Sequence, residues 1–211
     1  VLVEGMGKVG FFRWLCLWLA KAVRYRIVPI FITFMVLSAV LSMFIDSITV
    51  VLFLTAITIE LSGLLKFNPV YMILPEIFCA NLGGAATMSG DPPNIIIGTS
   101  LGLTFMDFLT NTGIIILIAL IAMIIYFYLC FAKKLKEGSH MADSSAMPDP
   151  SSAISNRLGF LISTMIFLMV VFLLVTHAQT GITVASIGII AAVLTLVTSV
   201  DVKGGLLRGI D

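Results

Sequence analysis

The sequence predicts an all-α polytopic membrane protein, and three observations predict it. Of the 211 residues 60% are hydrophobic and only 11% charged, against roughly 25% charged in soluble domains, which is too little polar surface for a water-soluble fold. Five apolar runs, 27–45, 48–65, 111–131, 157–177 and 181–199, approach the about 20 residues that a helix needs to cross a ~30 Å hydrocarbon core. The ~10-residue alternating segments of a barrel are not found, so the backbone must satisfy its hydrogen bonds within helices.

Residues 1–26 are read as an interfacial amphipathic helix. Over 10–26, Phe12, Leu15, Cys16, Leu19, Ala22 and Val23 share one face, while Arg13, Lys21 and Arg24 lie largely elsewhere. Two tryptophans and a cationic side suit a helix lying in the interface; a first crossing with a basic end is the other reading. The sequence begins with Val1 rather than Met and is expected to be truncated at both ends.

Residues 27–65 are interrupted by Asp46-Ser47-Ile48-Thr49, preceded by Ser38 and Ser42. A carboxylate at membrane depth costs about 2.5–3.5 kcal/mol on insertion scales and marks a functional site by default. Asp46 stands either at the tip of a re-entrant hairpin near the midplane or in a short external turn between two crossings. The residues alone leave both open.

Residues 70–131 are predicted to hold a broken helix followed by a membrane-spanning helix. The break is Asn81-Leu82-Gly83-Gly84-Ala85-Ala86-Thr87-Met88-Ser89-Gly90-Asp91-Pro92-Pro93-Asn94, with apolar flanks on both sides. Its glycines and paired prolines cannot continue a helix, and Pro92 drives Asp91 out of the α region. Irregular backbone at that depth is tolerated only where it lines a cavity or packs in protein. Broken helices serve transporters because their exposed ends offer N–H and C=O groups to ions, and Asn81, Thr87, Ser89, Asp91 and Asn94 add side-chain oxygens there. Glu76 lies one turn before Asn81 and is expected to be buried, either as a proton-carrying group or as a carboxyl satisfied by helix ends. Glu60 reads as interfacial and structural, and His177 as an interface residue at a span end.

Residues 132–156 form a linker whose small polar residues and prolines predict disorder. Residues 157–199 supply two further membrane helices, and 200–211 begin the next cytoplasmic segment. Lys and Arg flank the spans at 13–26, at 66, at 133–157 and at 203–208, while the connections near 100–111 and 177–181 carry none. Basic flanks are retained on the cytoplasmic side, which places the linker 132–156 in the cytoplasm. No recurring basic face supports nucleic-acid binding. Cys16, Cys79 and Cys130 fit neither a disulfide framework nor a metal cluster and read as buried small apolar residues.

At Ser42 to Thr49 and Glu76 to Gly98, above all Asn81-Leu82-Gly83-Gly84 and Gly90-Asp91-Pro92-Pro93-Asn94, the sequence closely resembles the ion transporter superfamily. That group includes arsenite permeases, NhaD-type sodium/proton antiporters, the melanosomal P protein and citrate-transporter-like domains. The likeness covers most of residues 10–200. It implies one half of an inverted-repeat transporter, with a re-entrant hairpin over 27–65, a broken helix, and 157–199 opening the second repeat. It places Ser47 and Thr49 at the hairpin tip and Gly83 to Asn94 at the break, together half of a substrate and cation site. The expected ion-binding residues are Asp46, Ser47, Thr49, Asn81, Gly83, Gly84, Thr87, Gly90, Asp91, Pro92, Pro93 and Asn94, with Na⁺ near Ser47, Thr49, Asn81, Asp91 and Asn94. Two departures stand out: Asp46-Ser47 replaces the Asp-Asn of many relatives, and no second Gly-Asp-Pro-Pro-Asn run follows before Asp211.

The expectation is therefore a secondary transporter working by alternating access, with sodium/proton antiport or arsenite-type efflux as its leading activity. A sodium-coupled di- or tricarboxylate symporter is the alternative. No cofactor is expected beyond a coupling Na⁺ or H⁺. The expected partners are the lipid bilayer of the cell membrane, a small ion or small-molecule substrate and, by the likeness, a second copy in a homodimer. An intramembrane hydrolase is disfavoured, because Met88-Ser89-Gly90-Asp91 lacks the first glycine of a Gly-x-Gly-Asp protease motif.

Overall fold

The computed structural model describes residues 1–137 and 148–200, the side chains of Lys136, Glu137, Ala178, Ser199 and Val200 excepted. It is helical, without a strand among the described residues: α1 Leu2–Lys8, α2 Phe11–Ala22, α3 Ile27–Ser42, α4 Ser47–Leu65, α5 Val70–Ala85, α6 Pro92–Leu101, α7 Phe105–Glu137, α8 Arg157–Thr180 and α9 Val184–Val200. α4, α7 and α8 are long and apolar enough to cross a membrane; α3, α5 and α9 are apolar but shorter.

The chain forms two compact units. One spans Leu15–Asp149, and its centre is α5, packed on α3, α4 and α7. Phe31, Phe34, Met35, Leu54, Leu61 and Met72 are fully buried there. The glycine at 83 permits the closest approach: a Cβ at that position would collide with the backbone carbonyl of Ala39. In a bilayer, where lipid tails are as apolar as leucine, contact of this kind between small residues is what draws helices together. α4 is an inner helix, with 39% of its apolar window buried, while α7 buries 11% and turns Ile114, Ile118, Ile121, Ile125 and Leu129 outward. The latter make an exposed apolar surface.

The second unit takes residues 1–14 and the described part of 150–211. Here α1 packs on α8 and α9. Phe11 and Trp14 meet Phe160, with ring centroids 5.8 and 5.2 Å apart, and a short 3-10 turn over Pro150–Ala153 lies against Gly10.

Several boundaries differ from the sequence reading for identifiable reasons. α7 starts at Phe105 rather than 111 because Thr104 and Asp107 cap each other: Thr104 N donates to Asp107 Oδ2 at 2.7 Å and Asp107 N donates to Thr104 Oγ1 at 3.2 Å, a reciprocal capping box. It runs on to Glu137 because Phe131 stacks on Phe127 at 5.7 Å and Lys134 Nζ lies 5.1 Å over the Tyr71 ring, so apolar and cation–π contacts extend past 131. The stretch expected to be disordered from 132 therefore begins as helix. Its remaining expectation falls largely on 138–147, outside the described residues, and at its far end Asp149 accepts a 2.8 Å bond from Lys21 Nζ. Cys16 and Cys79 are buried as expected, but Cys130 is exposed on the outward face of α7.

Candidate functional site

The turn 43–46 between α3 and α4 meets the break 86–91 between α5 and α6, and this junction gathers most of the expected site residues. Thr87 Oγ1 donates to the Met43 carbonyl at 2.5 Å and Ser89 Oγ to the same carbonyl at 3.1 Å. Thr87 Oγ1 in turn accepts from Gly90 N at 3.2 Å. Asn94, in the first turn of α6, donates through Nδ2 to Gly84 O at 3.2 Å and to Thr87 O at 2.9 Å. Across the junction Ser47 Oγ donates to Asp91 Oδ1 at 3.2 Å.

Glycine is required at two of these positions by close approach alone. A Cβ on Gly84 would fall 2.5 Å from Asp91 Oδ2, so the carboxylate lies directly against the end of α5. A Cβ on Gly90 would fall 2.6 Å from the Ser42 carbonyl and collide with the Gly84 carbonyl. Pro92 and Pro93 are the first residues of α6, exposed, with Asp91 as the residue before them. Lacking N–H groups, they suit a helix start and leave that helix end with few donors for an anion.

Four expected ligands, Asn81, Asp46, Thr49 and Gly83, are engaged in other contacts. Asn81 is exposed on the outer face of α5, its Nδ2 bonded to Ile77 O at 2.9 Å. Asp46 is exposed and caps α4, accepting from Thr49 N at 2.9 Å and from Thr49 Oγ1 at 2.7 Å. Both its oxygens and the Thr49 hydroxyl are thus engaged in holding the helix start. Gly83 serves packing against Ala39. What sequence reasoning missed are the carbonyls of Ser42 and Met43, because main-chain oxygens carry no residue-type signal, and the Ser42 hydroxyl, which is buried and without a hydrogen-bond partner.

The groups gathered at the junction are oxygens: the Asp91 carboxylate, the Ser47 hydroxyl, and carbonyls at the ends of α3 and α5. Hard cations such as Na⁺, Mg²⁺ and Ca²⁺ take oxygen ligands of this kind, and C-terminal helix ends add partial negative charge. No group of three or more His, Cys, Asp or Glu side chains that could hold a metal ion is found among the described residues.

Two substitutions probe this scaffold. Asp46→Ala is expected to lower stability by about 1 kcal/mol, the usual worth of an N-cap, while Asp46→Asn keeps most of it; thermal unfolding in detergent reads the difference. Thr87→Val strips the Met43 carbonyl and Gly90 N–H of a shared partner and is expected to cost roughly 1–3 kcal/mol, measured the same way against Thr87→Ser, which retains the hydroxyl.

Comparison with known proteins identifies the family. The sequence profile of the CitMHS citrate transporter family matches residues 1–211. An uncharacterized transporter of Mycobacterium bovis is 32% identical over 200 residues, covering 94% of this chain and 46% of its own length. The P protein of Homo sapiens is 34% identical over 126 residues, covering 57% of this chain and 15% of its own. The chain thus spans about half the length of the M. bovis relative. No solved structure matches significantly. An integral membrane chain with a broken helix at its centre, matched along its whole length, belongs to the citrate transporter family of membrane transporters.

Proposed function

We propose that this chain supplies one half of a cation-coupled secondary transporter, with the cation held at the junction of the α3–α4 turn and the α5–α6 break. The observation that carries the reading is the Ser47–Asp91 contact at 3.2 Å, which ties an acidic group in a helix break to the tip of the neighbouring helix pair. In this reading α3 and α4 form a re-entrant hairpin, α8 and α9 open a second, inverted repeat, and the bundle α3–α6 moves against a scaffold to expose the site alternately. The linker is cytoplasmic and the membrane is the cell membrane.

The substrate follows from charge. Asp91 puts negative charge at the start of α6, where an anion would otherwise find a helix N-terminus, so a free carboxylate is repelled. We therefore assign a small di- or tricarboxylate that travels with its cation, in keeping with the family's name. Sodium/proton antiport is the second reading, favoured because Asp91 has no Lys, Arg or His partner among the described residues. Labelled citrate uptake into proteoliposomes, with Na⁺ or Mg²⁺ against choline, tests the assignment. Cation-dependent uptake supports the carboxylate reading; internal pH change on Na⁺ addition without uptake favours antiport, and neither response contradicts both.

A further inference from the structure

A second ionisable site lies on α5, away from the break. Glu76 is fully buried and separated from Gly84 by about 12 Å at the 1.5 Å rise of a helix. Its Oε1 accepts from Thr58 Oγ1 of α4 at 2.7 Å, while its Oε2 is buried without a hydrogen-bond partner. Its own carbonyl accepts from Ser38 Oγ of α3 at 2.7 Å. Pro75, immediately before it, removes a backbone N–H from the helix at this level.

The groups facing Glu76 are two hydroxyls, Ser38 and Thr58, and two thiols, Cys16 from α2 and Cys79 from α5 itself. Among the described residues no Lys, Arg or His pairs with it. An unpaired buried carboxylate is costly, and a group so placed takes up a proton instead. Protonated, the carboxyl keeps the Thr58 bond on one oxygen and carries the proton on the other. Charged, it leaves an uncompensated anion where α3 and α4 pack on α5, which favours parting those helices and admitting water.

We propose that Glu76, held by Thr58, is the proton-carrying group of the transport cycle, a site separate from the cation site at Asp91. The proton is taken onto Oε2 from one aqueous side and released from it to the other, with α3 and α4 packed on α5 in the protonated state. This rests on the transport reading above, and the test separates the two.

The experiment uses the full-length protein in proteoliposomes, with citrate plus Mg²⁺ as the probe, and compares accumulation driven by a pH gradient with gradient-free counterflow. Wild type is expected to do both, whereas Glu76→Gln, which has no carboxyl to take up and release a proton, is expected to lose accumulation by more than about tenfold while counterflow continues. Glu76→Gln that accumulates as wild type does overturns the proposal. Wild type with counterflow but no response to the pH gradient also overturns it and leaves the transport reading standing; no flux of either kind sinks that reading instead. Infrared titration then decides Glu76 by itself, since a protonated-carboxyl band lost in Glu76→Gln supports the proposal and its absence from wild type contradicts it. If Glu76→Gln fails to fold, Thr58→Val serves: it is expected to displace the pH profile of uptake, and an unchanged profile counts against the proposal.

Discussion

Asp91→Asn is expected to abolish cation-coupled uptake while leaving the protein folded. The amide still accepts the Ser47 hydroxyl bond that now spans 3.2 Å, and it occupies nearly the same volume against Gly84. What it removes is the formal charge at the junction and, on the proposed reading, one carboxylate oxygen from the cation's ligands. Loss of a direct charged ligand is expected to weaken cation affinity by on the order of 100-fold or more, about 2.7 kcal/mol, and flux at fixed cation falls with it. Asp91→Glu is expected to fail almost as badly, because the extra methylene has to find room beside the end of α5. Flux at graded cation concentration checks both variants, with an unchanged melting temperature as the sign of an intact fold.

Gly83→Ala is expected to have the largest effect on stability. The added methyl would collide with the Ala39 carbonyl, a backbone atom that cannot rotate away, so α3 and α5 must separate. Overpacking costs about 1–3 kcal/mol where side chains can adjust, and here the helices themselves must move, so the expectation is the upper end or beyond, a fall of roughly 10 °C in melting temperature. The same shift would draw Ser38 from the Glu76 carbonyl and Ser42 from Gly90. Gly63→Ala provides the control, since nothing lies within 4 Å of its added methyl.

Much of this architecture was legible in the sequence because membrane helices announce themselves by composition. The break was legible for a different reason: Pro92 cannot continue a helix from Asp91, and α6 starts there, whereas Gly83 and Gly84, expected within the break, are still helical because α5 runs on to Ala85. Helix ends set by side-chain caps were harder to place. Thr104 and Asp107 start α7 six residues before the apolar run at 111, and aromatic stacking carries it beyond the run's end. At the junction, residue type singled out Asp91, Ser47, Thr87 and Asn94, which the structure places close together, but it carried no information on direction. Asn81 sits in the same motif yet faces outward, because a helix turns 100° per residue and this position falls on the far side of α5. Asp46 carries the charge expected of a ligand but spends both oxygens on its own helix start. Thr58, separated from Glu76 by 18 residues, could be found only once α4 was laid against α5.

The central claim, that the α3–α4 turn and the α5–α6 break together bind a cation, is tested most directly by cation-dependent stabilisation of the purified protein. A ligand that binds the folded state alone stabilises it by about 2.7 kcal/mol at 100 times its dissociation constant. Melting curves in choline would be compared with those in rising Na⁺ and Mg²⁺ for wild type, Asp91→Asn and Ser47→Ala. The account predicts a saturating rise in melting temperature for wild type with one of these cations, weakened in Ser47→Ala and absent in Asp91→Asn. A rise of equal size in wild type and Asp91→Asn would contradict it.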